Sequence, residues 1–455
     1  MCMVEGICLF PSHIIPEGGY LQPGGGERMD EMQARDRRVT LTPVRTQEAR
    51  RWVILLGGFL LSLMGGMSYA WGSFVVPLRQ DWGWTAAQAN LPFTVMIIVF
   101  ALTMIPAGYI QDRFGPRKVA TWGALLFFIG YALAGLLGQI PSPAWLVFSY
   151  GGLVGVACGL TYACIAPTAR KWYPDHPGFA VSTAVMGFGL AAVVFAPLKR
   201  SMIDAWGVDG TLLVFSVFVT VVALIGARLI KNPPDGYTAP EGRVKARGRV
   251  PGISVAVEDV PPGRFIRTRV FYQLWLALAM VIGGGLTAIG LITAYGELEL
   301  GLAPAVAATA ISAYALVNGL GRPLAGSLAD RIGALRVMTI VYSIQAVVFF
   351  ALPRVAVNLP LLILCSLLLG MGYAATFALF PVLVAARFGT THLGMNYGLV
   401  FSAFGMGALT SLLGSRLLDT TGSFVPAFTL ASATTVVGLI LLVILRVTDG
   451  NERGG

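Results

Sequence analysis

Arg322 lies inside an otherwise apolar run, eight residues before Asp330. At about 1.5 Å of rise per helical residue it stands roughly 12 Å deeper than that aspartate. A guanidinium held in hydrocarbon is costly, and an ionisable residue there points to function. None of the 22 acidic residues lies deep in an apolar run. Asp112 and Asp330 stand at run ends, and Glu297 and Glu299 fall between two runs. No internal carboxylate is therefore available to Arg322. Its planar fork matches a carboxylate bidentately, so an anionic cargo is one partner it can take. The other reading is that it snorkels to water or bonds helix carbonyls. The residues alone leave both open. Asn318, one turn earlier, can orient the fork or bind cargo, and Tyr314 continues that face. Tyr69, Trp71, Tyr162, Tyr373 and Tyr397 recur inside other apolar runs. Each packs more readily than it binds, but together they can line a small cavity and offer hydroxyls to an anion.

A second constellation is duplicated. Gly108-Tyr-Ile-Gln-Asp112-Arg113-Phe-Gly115 returns as Gly326-Ser-Leu-Ala-Asp330-Arg331-Ile-Gly333, 218 residues later. The same offset relates Gly187 and Gly189 to Gly405 and Gly407. Duplicated halves are a usual basis for alternating access. Each aspartate sits where a helix ends in a glycine-permitted turn. Its carboxylate can bond helix N-termini or arginines and hold a gate, or it can simply anchor a loop. Duplication favours the gate, with Asp112, Arg113, Arg117, Asp330 and Arg331 as its parts.

The elements that must position these residues are long and apolar. Of 455 residues, 56% are hydrophobic and 12% charged, against about 25% charged in soluble domains. The 56 glycines suit close helix packing in lipid. Apolar stretches long enough to span recur at 53–78, 88–110, 118–140, 144–168, 178–198 and 209–230, then at 270–294, 303–327, 334–353, 358–384, 393–416 and 423–446. These are spans 1 to 12. The expected organisation is a disordered leader over 1–50, a six-helix bundle over 51–231, a Pro/Gly/Arg-rich linker over 232–269, a second bundle over 270–446 and a tail over 447–455. Met29 and Met32 are alternative starts. Of the 32 Lys and Arg residues, 26 fall on the side of the N-terminus and five opposite it: Arg79, Lys199, Arg200, Arg354 and Arg416. The positive-inside bias then places both termini in the cytoplasm.

The net charge of +10 is split among short loops rather than gathered into a stripe with exposed aromatics, which argues against nucleic acid. The five cysteines show no metal or redox spacing, and no cofactor is implied. There is no Gly-x-x-x-x-Gly-Lys-Ser/Thr loop for ATP and no nucleophile–base set for an enzyme. No Asp, Glu or His relay for protons lies mid-span, since His176 and His392 sit near loops. The partners expected are the bilayer, a small organic anion, and either a co-transported proton or a counter-transported anion, with the chain working as a monomer.

These features resemble the major facilitator superfamily over residues 50–446, most specifically at Gly108 to Lys118 and, more weakly, Gly326 to Arg336. The second copy has Ala334 and Leu335 where the first has Pro116 and Arg117. Within that superfamily, Arg170-Lys-Trp-Tyr-Pro-Asp175, Gly187-Phe-Gly189, Asn318-Gly-Leu-Gly-Arg322-Pro323 and Asn396-Tyr-Gly398 are similar to the oxalate/formate antiporter and monocarboxylate transporter branch. The resemblance implies an all-α protein of twelve transmembrane helices in two pseudo-symmetric six-helix bundles, in a cell membrane. It also implies substrate-carboxylate binding by Arg322. Asn318 occupies a position that is commonly acidic in monocarboxylate carriers and is linked there to proton coupling. The eleventh-span lysine of oxalate carriers aligns with Phe404, and span 1 lacks the lysine of animal monocarboxylate carriers. One cation favours a monocarboxylate over oxalate. Tyr69, Tyr162, Tyr373, Phe377 and Phe401 match cavity-lining positions.

Overall fold

The computed structural model describes residues 44–234, 237 and 259–451. The described residues are helical almost throughout, and this is an all-α, polytopic membrane protein. Ten stretches are long and apolar enough to cross a bilayer. One of them, Pro177–Leu229, is 53 residues long and contains Gly207 with φ 70° and ψ −177°. The rings of Phe195 and Phe215 lie 6.5 Å apart, whereas 20 residues of straight helix would separate them by about 30 Å. The chain therefore doubles back at Gly207, and spans 5 and 6 form a hairpin in which the expected loop is replaced by helix up to the turn. With Pro304–Ile332, which carries Asn318 and Arg322 mid-length, the twelve expected helices are accounted for. The leader up to residue 43, linker residues 235–236 and 238–258, and tail residues 452–455 lie outside the described residues.

The duplicated motif has a local structural cause. Ala86–Phe114 opens on a capping box in which Thr85 accepts from the Gln88 backbone and Gln88 returns the bond. It closes at Gly115, φ 85°, after which Pro116 starts the next helix. Pro304–Ile332 closes the same way at Gly333, φ 94°. These positive φ values favour glycine, so each Asp-Arg-x-Gly run ends one helix and aims the next.

Large apolar side chains also cover the outside. Leu102, Leu324, Val347 and Phe350 are all more than half exposed, an exterior that suits lipid. Inside, several helices are interrupted, among them spans 1 and 11. Span 1 passes from Val44–Gly66 through a 3₁₀ turn, Met67–Ala70, into Gly72–Trp82. Span 11 breaks at Ser402 between Leu393–Phe401 and Ala403–Thr421. The end of the linker is docked: Asp259 accepts from the backbone N–H of Thr390 at 2.8 Å and of Thr391 at 3.2 Å, and the Val260 carbonyl accepts from Asn396 Nδ2 at 3.0 Å.

Candidate binding site between the fifth and eighth spans

Arg322 is fully buried. Its Nε donates to the Asn318 carbonyl at 3.1 Å and its Nη2 to Asn318 Oδ1 at 3.2 Å. Nη1 crosses to the fifth span and donates to the Val185 carbonyl at 2.7 Å. The guanidinium also lies 4.8 Å from the centre of the Phe377 ring. Among the described residues, ion pairs join Arg51 to Asp175, His176 to Asp175 and Arg200 to Asp204, and none reaches Arg322. The charge is held by carbonyls, an amide and a ring face.

Glycines make that crossing short. A Cβ on Gly189 would stand 2.7 Å from the Asn318 carbonyl oxygen, and one on Gly319 2.4 Å from Leu190. Only hydrogen at both positions lets the fifth and eighth helices approach closely enough for Arg322 to reach Val185. The expected equivalents behave differently: Gly405 has open space around it, and Gly407 packs on Ala279 and Ile282 of the seventh span.

Tyr69, Tyr162, Tyr373 and Tyr397 are buried and lie within electrostatic reach of the guanidinium. Tyr69 and Tyr373 bring their hydroxyls to 3.5 Å. Tyr162 presents a buried hydroxyl without a well-formed hydrogen bond. Tyr314 instead bonds the Gly285 carbonyl at 3.2 Å and packs on Tyr373, so it supports the site. Trp71 turns away, bonding the Ala89 carbonyl and packing on Tyr150. The rest of the enclosure is aromatic. Phe401 and Phe404 stack at 5.5 Å, and Phe404 also meets Phe100 and Phe377.

At one end of the molecule the two aspartates do the same thing. Asp112 accepts from the N–H groups of Gly394 and Met395 at 3.2 and 3.0 Å. Asp330 accepts from those of Gly178 and Phe179 at 2.7 and 2.8 Å. Each carboxylate satisfies free amides at the N-terminus of a helix in the other half of the chain, where the helix dipole favours negative charge. The backbones nearly touch there: a Cβ on Gly108 would fall 2.2 Å from the Gly394 oxygen, and one on Gly326 2.1 Å from that of Gly178. The aspartates are 218 residues apart, but their partners Gly178 and Gly394 are 216 apart. The repeat thus slips by two residues between the second and fifth spans, and the single offset expected for the glycine pairs does not hold in space. The arginines stay outside this contact. Arg117 donates to the Arg228 carbonyl at 2.5 Å, Arg113 lies against Tyr109 and Phe114, and Arg331 is exposed.

One buried cation was not legible as such. Lys199, expected in an outer loop, is a fully buried residue of the Pro177–Leu229 helix, while its neighbour Arg200 faces outward. The signal was helical spacing. Phe188, Ala191, Phe195 and Lys199 fall on one stripe, and all are buried.

A polytopic bundle closed at one end, with a guanidinium enclosed among tyrosines, defines a membrane carrier. The family model described as Major Facilitator Superfamily matches residues 54–298 and 285–454, and the chain belongs to that superfamily. It is 28% identical to the oxalate:formate antiporter of Oxalobacter formigenes over 396 residues, 86% of this chain and 90% of that protein. It is 24% identical to monocarboxylate transporter 12 of Rattus norvegicus, over 88% of this chain and 86% of that one. The E. coli fucose:proton symporter FucP superposes with a TM-score of 0.66 at 15% identity, over 87% of this chain and 98% of that chain. The protein is a secondary transporter of small molecules and not an enzyme.

Proposed function

We propose that the protein carries small organic monocarboxylates, with Arg322 as the anchor for the carboxylate. The observation that carries this reading is a wholly buried guanidinium with no acidic partner among the described residues, with Tyr69, Tyr162, Tyr373 and Tyr397 in its electrostatic reach. A charged acceptor bonds a guanidinium about twice as strongly as a neutral carbonyl. A cargo carboxylate therefore displaces Val185 from Nη1, which breaks a bond between the two halves and couples loading to their separation. The Arg322 guanidinium compensates one negative charge, and the aromatic wall at Phe404 offers none for a second. The names of two relatives, an oxalate:formate antiporter and a monocarboxylate transporter, agree with a carboxylate cargo.

The end held by Asp112 and Asp330 is cytoplasmic in this reading, both termini share that side, and the two halves over 51–231 and 270–446 rock about the site. Arg51, joined to Asp175, fixes the first span at that end. Asn318 supplies no proton, so exchange or uniport fits it better than an encoded proton relay. Proteoliposomes of the purified chain, loaded with formate and offered labelled lactate, formate or oxalate in competition, test the reading. Uptake of monocarboxylates that falls at least tenfold in Arg322→Ala supports it. Preference for oxalate, or uptake untouched by Arg322→Ala, removes it.

A further inference from the structure

Lys199 has no part in the mechanism above, yet burying an ammonium in a membrane helix is expensive. Its Nζ donates to the Met67 carbonyl at 2.9 Å and stands 5.0 Å from the Phe74 ring centre and 5.7 Å from that of Phe215. Its burial is not offset by an acid, since none of the ion pairs among the described residues includes it. Met67 opens the 3₁₀ turn that interrupts the first span. Two residues on, the same turn carries Tyr69, whose hydroxyl lies 3.5 Å from that of Tyr373 beside Arg322. The Tyr69 ring also meets Phe188 edge-on at 4.9 Å, on the same stripe of the fifth span as Lys199.

We infer that Lys199 is a positioning residue: its ammonium ties the broken segment of the first span to the fifth and so fixes where the Tyr69 hydroxyl stands. A carbonyl has two lone pairs, so the ammonium adds a bond without displacing those of the turn. A 3₁₀ turn has poorer hydrogen-bond geometry than an α-helix, and an outside donor to its first carbonyl is what holds it in one arrangement. Phe74 and Phe215 supply ring faces against which the amine packs. This inference rests on the cargo site proposed above, because it assigns Lys199 an effect on cargo through Tyr69.

Two measurements on the full chain separate the inference from that reading. Hydrogen–deuterium exchange in detergent, without cargo, follows peptides over residues 67–72. Lys199→Met is expected to speed exchange there by about tenfold or more, the loss of one bond to a charged donor, while Lys199→Arg keeps it slow. In proteoliposomes, Lys199→Met is expected to raise the KM for lactate with little change in maximal rate. The double variant with Tyr69→Phe should be no worse than the poorer single one. Unchanged exchange in Lys199→Met, or KM effects that multiply in the double variant, overturns the inference. If Lys199→Met does not fold, Lys199→Gln keeps an N–H donor and is compared with Lys199→Arg on the same peptides, where equal exchange rates in the two overturn the need for charge. Wild-type vesicles that take up neither lactate nor formate remove the monocarboxylate reading, and the exchange arm still decides the tether.

Discussion

At the scale of single residues, Arg322 bonds helix carbonyls in the resting structure, one of the two readings its sequence position left open. Asn318 one turn away was legible from helical periodicity. The Val185 carbonyl was not, because it depends on how closely two helices approach at Gly189 and Gly319. Lys199 escaped for a different reason: beside Arg200 at the end of an apolar run it read as a loop residue, and only the helix continuing to Gly207 turns it inward. The aromatic wall makes a sharp prediction. Phe404 is fully buried and packs on Phe401 and Phe377, the latter beneath Arg322. Phe404→Lys places a second cation near the first, which repel without cargo and are bridged by a dianion. Inhibition of formate uptake by oxalate should become at least tenfold stronger in the variant, while thermal stability falls by roughly 1–3 kcal/mol. A competition curve identical to wild type would place Phe404 outside the path of the cargo.

The elements explain why the fold was more legible than the contacts between its parts. Apolar length predicts a helix wherever it occurs, and the Asp-Arg-x-Gly runs located two helix ends that the structure places at Gly115 and Gly333. Which helix each aspartate would cap is a tertiary fact, and the two-residue slip between the repeats shows that sequence offset alone misaligns the glycine pairs. The close contact at Gly326 bears on this directly. With a Cβ only 2.1 Å from the Gly178 oxygen, Gly326→Ala must push the fifth and eighth helices apart. Uptake should fall severalfold with the helical circular-dichroism signal unchanged, and wild-type uptake would show that the helices yield freely there. The docked linker gives a pH expectation. Burial alone would raise the Asp259 carboxyl, but the bonds from Thr391 and Thr390, with His392 nearby, hold it below the ordinary carboxylate range. A depressed value means that the bonds are fully present above the unfolded carboxylate pKa, about 3.9, and are lost only as pH falls through the lower folded value. Amide exchange at Thr390 and Thr391, corrected for intrinsic rates, should therefore be flat from pH 8 to pH 5. A step within that range would show that the Asp259 carboxylate does not set the docking.

For the whole molecule, the two aspartate contacts and the Arg322 bond join opposite halves of the chain at two depths. The halves part at one end only when both aspartates release their helix N-termini, since either alone still holds one pair of backbones together. Removing one cap costs about 1 kcal/mol, so the pair together should shift the closed-to-open ratio by about tenfold or more. Ser182 is a suitable reporter. It is fully buried in the fifth span, and a Cβ on Gly326 would fall 2.2 Å from its hydroxyl. The described cysteines, Cys158, Cys164 and Cys365, are buried as well, and replacing Cys2 and Cys8 leaves Ser182→Cys as the informative thiol. It should resist maleimide in the otherwise wild-type chain, react slowly with either Asp112→Ala or Asp330→Ala, and react fast with both. The same reporter tests sidedness. Even without Lys199, the short loops at the aspartate end carry the excess of arginine and lysine, so that end is expected inside. In right-side-out vesicles the double variant should then react with a membrane-permeant maleimide and not with an impermeant one. Reaction with the impermeant reagent would invert the topology, and equal reactivity in the single and double variants would show that the two aspartates do not act as paired latches.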